Sequence, residues 1–249
     1  MEWDGPSLNV DTGVLRARIT PQAPLAEVRI LAGQDWKPLW PDGDALRLTM
    51  HDSHGQLFES GHLPATVTVE EQGPLRSCIC VRGHLATARG QSFCPYILRL
   101  HFAARRPEVR LQHTFVFDQD PDLVQLADIG IHVPAPPSKG SSPRAAVGGE
   151  HEAHESSGDL CFVQQDDLDY EVTDGADVVS GKRTRGWASL SSADGGVLAV
   201  IRDARQEYPK GFALGADGLE VQIWPRTATP LGIHHPFQGN GDPLWRDVG

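Results

Sequence analysis

The chain has 249 residues, which suits one large domain or two smaller ones, because domains commonly hold roughly 100–200 residues. Apolar residues make up 39% of the sequence and charged residues 22%, a balance that excludes a disordered polyelectrolyte. No stretch approaches the roughly 18 apolar residues of a membrane-spanning helix, so we expect no membrane partner. The net charge of −11 argues against nucleic acid as a partner, since phosphate backbones attract basic surfaces.

The N-terminal segment carries no recognisable targeting signal. Its first ten residues, MEWDGPSLNV, lack the basic patch and the apolar run of a secretory leader. We therefore expect either a cytoplasmic protein or the processed form of a secreted one, and the sequence leaves the localisation open between them.

Short runs of alternating apolar and polar residues recur along most of the chain. The 26 glycines and 19 prolines separate these runs as turn residues. This pattern predicts an all-β fold of antiparallel strands, either a sandwich or a barrel. Outside the hairpin described next, the predicted strands are 14–19, 26–31, 45–50, 65–70, 75–82, 126–133, 160–164, 168–173, 186–190, 196–202 and 219–224.

Residues 96–117 carry the clearest alternation. The first run is apolar at positions 96, 98, 100 and 102, the second run is mostly apolar at every odd position from 109 to 117, and Arg105-Arg106-Pro107 supplies the turn. We predict a β-hairpin with one half-buried sheet face. His113 places an imidazole among the apolar positions. It is interpreted either as a core histidine or as an acid/base or ligand-binding group that faces a cleft.

Residues 134–158 lack periodicity and are rich in Pro, Gly and Ser. We interpret them as a long loop inserted within a sandwich, because similarly patterned strands continue beyond them. A domain boundary is the alternative interpretation. The segment 52–63 is a weaker candidate for such a boundary.

The four cysteines are too few and too irregularly spaced for a disulfide framework or a zinc site built from two close pairs. Cys78 and Cys80 would lie on the same face of one strand, where a mutual disulfide is geometrically poor. We expect reduced core thiols at Cys78, Cys80, Cys94 and Cys161.

Three groups of residues invite a metal interpretation. His51 with His54, and the segment HEAHE at 151–155, have the wrong spacing for a zinc-protease helix and are interpreted as solvated loop residues. The carboxylates in FDQDPD resemble the start of a calcium loop, but the glycine and glutamate that complete such a loop are missing. A calcium site at Asp118, Asp120 and Asp122 stays open, and the cofactor is unknown.

The segment RDARQEYPK at 202–210 is dense in groups that could bind an acidic sugar. A charged connection between strands is the alternative interpretation. Six tryptophans could stack on sugar rings or pack in the core. The nucleophile elbow of the α/β-hydrolases, the Walker loop and the dinucleotide-binding fingerprint are not found in the sequence, which removes those enzyme classes.

Six blocks resemble, in order, the exo-acting rhamnogalacturonan lyases. They are VDTGVLRARI at 10–19, GPLRSCICVRGH at 73–84, YILRLHFAARRPEVRLQHTFVFDQDPD at 96–122, LADIGIHVP at 126–134, RGWASLSSADGGVLAVIRDARQEYPKGF at 185–212 and DGLEVQIWP at 217–225. The resemblance implies an N-terminal distorted β-barrel of the RIFT type at 1–95. A central β-sandwich at 96–249 would follow it, with its long loop at 134–158. Full-length members add a helical toroid, so we expect the lyase machinery to be incomplete here.

The resemblance also implies β-elimination on rhamnose–galacturonate polymers. This reaction needs donors on the uronate carboxylate and a base for its C5 proton. We select Arg202 and Lys210 as substrate-binding residues, with Trp187 for stacking on a sugar ring. Tyr208 and His113 are the candidate catalytic residues.

Two further hypotheses remain beside a lyase that acts in pectin degradation. The chain could be a noncatalytic carbohydrate-binding module, or a structural β-sandwich of a larger assembly. For the lyase and for the carbohydrate-binding module, the expected partner is an acidic polysaccharide or oligosaccharide. For the structural β-sandwich, we expect a partner chain or a second copy, bound through exposed strand edges.

Overall fold

The computed structural model describes residues 1–137, 143–193 and 195–231. These residues form β1 (Glu2–Asp4), β2 (Ser7–Asp11), β3 (Leu15–Ile19), β4 (Glu27–Ala32), β5 (Asp35–Pro38), β6 (Arg47–Asp52), β7 (Leu57–Glu59), β8 (Thr66–Gln72), β9 (Arg76–Ala86), β10 (Ser92–Ala103), β11 (Val109–Phe115), β12 (Leu126–Pro134), β13 (Arg144–Gly148), β14 (Ala153–Ser156), β15 (Leu160–Gln164), β16 (Tyr170–Asp174), β17 (Asp177–Gly181), β18 (Trp187–Ser192), β19 (Gly195–Val200), β20 (Lys210–Gly215) and β21 (Gly218–Trp224).

The strands assemble into three antiparallel sheets. The first is a meander of β1 to β5 in chain order, and the third is a four-stranded sheet in the order β14-β13-β18-β19. The second sheet has twelve strands, with β8 paired to β9 beside the path β11-β10-β9-β7-β6-β12-β21-β20-β15-β16-β17. None of the described residues lies in a helix. Accordingly, the described part of the chain offers no helix that could cross a membrane.

One face of the twelve-stranded sheet is apolar over its central strands, and we name it the core face. Ile131, Val221, Phe212 and Phe162 lie side by side on it, in register across β12, β21, β20 and β15. Because successive side chains of a strand point to opposite faces, the residues before and after each of these project from the other side. That other side is the polar face on which the candidate site lies.

Two hydrophobic cores form against the core face. The first gathers residues of β2, β3 and β4 with those of β6, β9, β10 and β12, including the fully buried Leu8, Leu48 and Leu98. The second packs β13 and β18 of the four-stranded sheet onto β15, β16, β20 and β21, with Phe162 and Phe212 at its centre. The second core is therefore the filling of a β-sandwich. The prediction of an all-β antiparallel fold containing a sandwich is confirmed.

The predicted hairpin at 96–117 is confirmed by the pairing of β10 with β11, from Tyr96 opposite Phe115 to Phe102 opposite Val109. Its apolar side is buried, since Tyr96, Leu98, Leu100 and Phe102 are each at most 2% exposed.

The predicted domain boundary at residue 95 lies inside β10. The four cysteines are free thiols, of which Cys161 alone is only half-buried.

The interpretation of 134–158 as one long loop is wrong, because β13 and β14 form within it. Residues 138–142 of this segment lie outside the described residues. β13 lies between β14 and β18 and is buried from Ala145 to Gly148. A strand that is buried on both faces shows no alternation of apolar and polar residues, which explains why periodicity missed it.

Candidate functional site

The polar face of the twelve-stranded sheet carries a continuous row of polar and small side chains. Strand register places Arg47, His132, Glu220, Ala213 and Cys161 next to one another, on β6, β12, β21, β20 and β15. The row exists because β6, β12, β15 and the hairpin of β20 and β21 lie side by side in register, so that these five side chains project from the same face.

An open depression of about 670 Å³ lies at the β20–β15 end of this row. Its polar lining includes His132, Asp159, Thr173, Asp217 and Glu220. Small residues keep the depression open: Ala213, Gly215 and Gly218 also line it. A Cβ added at Gly215 would lie 2.7 Å from Asp159 Oδ1, which is closer than a Cβ atom approaches another heavy atom in real structures. The sequence thus builds a shallow cleft with hydrogen-bonding walls.

Asp128 organises a second cluster at the other end of the polar face. Its side chain is only 7% exposed, yet both carboxylate oxygens have partners. His51 Nδ1 lies 2.8 Å from Oδ1, and Arg226 Nε donates to Oδ2 at 2.7 Å. A buried carboxylate needs such partners, because an unpaired charge is costly to remove from water. Asp128 therefore holds an imidazole and a guanidinium beside each other.

Glu220 belongs to the wall of the depression and also contacts β6, the strand that carries His51. Thr49 Oγ1 donates to Glu220 Oε1 at 3.4 Å, across Gly130. A Cβ at Gly130 would lie 2.7 Å from each of these two oxygen atoms, so glycine is required for them to meet. Burial raises the pKa of the Glu220 carboxyl, and the nearby charge of Asp128 adds to the rise. Glu220 is thus biased toward the protonated form.

His132 is biased toward its uncharged form as well. Burial lowers the pKa of its imidazole, and the neighbouring Arg47 guanidinium lowers it further. A neutral imidazole has one donor and one acceptor nitrogen. With Glu220 it offers hydrogen-bonding groups of the kind that sugar hydroxyls satisfy.

Four of the five residues selected from the sequence lie in or next to one segment, outside the row of side chains on the polar face. Arg202, Tyr208 and Lys210 belong to the segment 202–210 between β19 and β20. Trp187 begins β18 beside that segment, since Ile201 N donates to Gly186 O at 2.8 Å. The side chain of Lys210 leaves β20 on the face opposite to Ala213, because the two positions differ by an odd number.

The contacts of these four side chains are mostly local. Arg202 Nε lies 3.3 Å from Asp203 Oδ2, and its side chain is 81% exposed. Lys210 Nζ donates to Glu207 O and Pro209 O, while burial lowers the pKa of its ammonium group. The indole of Trp187 packs over Gly148. Tyr208 is 42% exposed.

His113 lies apart from the other four, on β11 at the end of the twelve-stranded path. Its residue is half-buried, and Nε2 is fully buried with no hydrogen-bond partner among the described residues. Burial lowers the pKa of this imidazole to about 4. The structure thus separates the two candidate catalytic residues, His113 and Tyr208, by six intervening strands of the path.

No metal-binding group of three or more His, Cys, Asp or Glu side chains is found within the described ranges. Asp118, Asp120 and Asp122 lie between β11 and β12, where Asp120 Oδ1 accepts a hydrogen bond from Asp122 N at 3.0 Å.

The interpretation of His51 as a solvated loop residue is wrong, because it lies on β6 and pairs with Asp128. His54 is 74% exposed, as expected.

His51, Asp128, Glu220 and Arg226 are not recognisable as a group from local sequence patterns. Two of them leave a local signal in the sequence. His51 lies on the strand face opposite to the buried Leu48 and Met50, and Asp128 is a charged residue within an apolar strand. A charged residue inside such a strand indicates a buried partner. The partners themselves depend on which strands lie side by side, which local patterns do not specify.

Residues 49–144 match a family model described as the PcRGLX-like protein central beta sandwich domain. The matched segment covers less than half of the chain and runs from Thr49 in β6 to the start of β13. The match supports a rhamnogalacturonan-lyase-like family for these residues, in agreement with the resemblance found in the sequence. No curated protein matches the sequence.

Proposed function

We propose that the chain is a carbohydrate-binding β-sandwich module that holds rhamnogalacturonan-type oligosaccharide on its polar face. The observation that carries this proposal is the depression of about 670 Å³ with its small floor residues and polar walls. Sugar sites need hydroxyl-binding groups that are fixed before the ligand arrives. Glu220, held by Thr49 across Gly130, meets this requirement.

The charge distribution along the polar face supports an alternating neutral and acidic ligand. The depression has the carboxyls of Asp159, Asp217 and Glu220 in its walls, which suits the hydroxyls of a neutral sugar. At the other end Arg226 provides a guanidinium, and its side chain is 60% exposed. A uronate carboxylate fits that end, because guanidinium groups bind carboxylates with paired donors.

Filling the depression is expected to abolish binding. In Ala213→Trp the indole would occupy the space above β20, and calorimetry with rhamnogalacturonan oligosaccharides should show at least about a tenfold loss of affinity, equivalent to about 1.4 kcal/mol. Val200→Trp is the matched control, since Val200 is 64% exposed on β19, outside the twelve-stranded sheet. Equal affinity of the wild type and Ala213→Trp would refute binding at this face.

A second candidate function is β-elimination at segment 202–210, favoured by the exposed phenol of Tyr208. Here Arg202 and Lys210 would bind the uronate, Trp187 would stack on a sugar, and Tyr208 would move the proton. His113 would act only if the ligand reached β11.

Four expectations remain predictions: the RIFT barrel, the domains 1–95 and 96–249, an acidic polysaccharide partner, and a partner chain or second copy.

Tyr208→Phe tests this second function. The variant removes only the phenolic oxygen of an exposed side chain, so the fold should be retained. If Tyr208 transfers the proton, the variant should lower the rate of unsaturated-uronate formation by about 100-fold or more. Unchanged turnover in Tyr208→Phe would exclude the phenol from the reaction.

A further inference from the structure

We propose that His51, oriented by Asp128, is the proton acceptor for a uronate whose carboxylate binds Arg226. This inference rests on the proposed saccharide binding at the polar face and adds a reactive centre to it. It places elimination chemistry at residues on β6, β12 and the turn after β21, instead of at the segment 202–210.

The Asp128 carboxylate determines which nitrogen of His51 carries the proton. An ionised carboxylate only accepts hydrogen bonds, so the 2.8 Å contact assigns the proton to Nδ1 and leaves a lone pair on Nε2. The same arrangement orients catalytic imidazoles in other enzymes, where a buried carboxylate fixes the ring and stabilises the imidazolium that forms. The His51 side chain is 20% exposed, so ligand can reach it from the polar face.

The neighbouring guanidinium supplies the second requirement of the reaction. Arg226 uses Nε for the bond to Asp128 Oδ2, and its side chain is 60% exposed. Its terminal amino groups have no hydrogen-bond partner within the described part of the chain, so they can extend toward a ligand carboxylate, whose negative charge grows as the C5 proton leaves. Because His51 and Arg226 bind the two oxygens of one carboxylate, base and cation lie close together.

Glu220 supplies the third group, a proton donor for the departing sugar. It lies on the same face, held by Thr49 of β6, which is two residues from His51. In the proposed step His51 Nε2 takes the C5 proton and the C5–H electron pair forms the C4–C5 double bond. The C4–O4 bond then breaks, and O4 leaves with its electron pair and the proton of Glu220. Solvent returns the proton from His51 to Glu220.

Nuclear magnetic resonance of isotope-labelled histidines in the full chain tests the binding geometry. The His51 signals are identified by their loss in His51→Gln, and they should show the proton on Nδ1. Galacturonate should move these signals while galactose, which lacks the carboxylate, should not, and Arg226→Gln should abolish the effect. Equal responses to both sugars, or no response to galacturonate, would overturn the proposal.

The absorbance of unsaturated uronate formed from rhamnogalacturonan fragments tests the chemistry. His51→Gln should lower the rate by about 100-fold or more, whereas the exposed His54→Gln should match the wild type. Calorimetry on the same samples separates the two proposals. If the wild type binds the fragments without producing absorbance, the reactive centre is refuted and saccharide binding stands. If no heat of binding is measured, both fail.

Discussion

Acidification from pH 6.5 to pH 4 is expected to lower the free energy of unfolding by about 3 kcal/mol through His113 alone. Its Nε2 atom is buried without a hydrogen-bond partner among the described residues, and burial lowers the pKa of the imidazole from 6.5 to about 4. A charge there would lie against the apolar side of β10 and β11 without compensation.

The direction of this effect follows from proton binding in the two states. Well above pH 6.5 His113 is neutral in both states and contributes no pH dependence, whereas at pH 6.5 it is already half protonated in the unfolded chain. Between pH 6.5 and pH 4 the unfolded chain binds a proton that the folded chain rejects, so stability falls as the pH falls. His132, whose pKa burial also lowers, acts in the same direction, so the test must isolate His113.

Urea unfolding of the wild type and His113→Leu across this pH range isolates the contribution. The variant replaces the imidazole with an apolar group that the other residues on this side of β11 can pack against, and its stability should depend much less on pH. His54→Gln, at an exposed position, should retain the wild-type pH dependence. A His113→Leu curve parallel to that of the wild type would contradict this assignment.

The sequence predicted the fold where one sheet face is buried and the other is solvated. The hairpin of β10 and β11 is such a case, because its buried positions alternate with exposed or half-exposed ones. Prediction failed at β13, whose residues from Ala145 to Gly148 are buried on both sides. Composition there suggested a loop, while pairing with β14 and β18 and packing against the twelve-stranded sheet determine the strand.

The candidate site was less predictable for a different reason. Asp128 is 77 residues from His51 and 98 residues from Arg226, and Thr49 is 171 residues from Glu220. These contacts arise because β12 lies between β6 and β21. Short-range patterns identify strands but not their neighbours in the sheet. Segment 202–210, by contrast, is contiguous, and its dense charges made it prominent in the sequence.

Removal of the Asp128 carboxylate is expected to destabilise the sheet, because the same carboxylate that holds the site together also links β6, β12 and the turn after β21. Asp128→Ala leaves the half-buried His51 Nδ1 and the Arg226 guanidinium without their partner. Hydrogen bonds to charged groups contribute roughly 1.5–3 kcal/mol each, and the exposure of Arg226 reduces its share, so we expect a loss of about 3 kcal/mol. Urea unfolding at neutral pH measures it.

Asp169→Ala is the matched control, because it breaks an ion pair with Lys182 in which both side chains are more than half exposed. Exposed pairs stabilise proteins little, so this variant should unfold close to the wild type. A loss in Asp128→Ala as small as that in Asp169→Ala would show that the buried network does not stabilise β6, β12 and β21.

Asp128→Asn separates positioning from stability. The amide retains the shape of the side chain and can hydrogen-bond His51, but it can do so with either ring tautomer, because it has both a donor and an acceptor. We therefore expect a smaller loss of stability than in Asp128→Ala, together with histidine resonances that show a proton on Nε2 in part of the molecules.

If Asp128→Asn retained the Nδ1 proton and the wild-type reaction rate, Asp128 would support the sheet without orienting the base. A mixed tautomer with a reduced rate would assign Asp128 as the positioning residue, since a purely structural role would leave the tautomer unchanged.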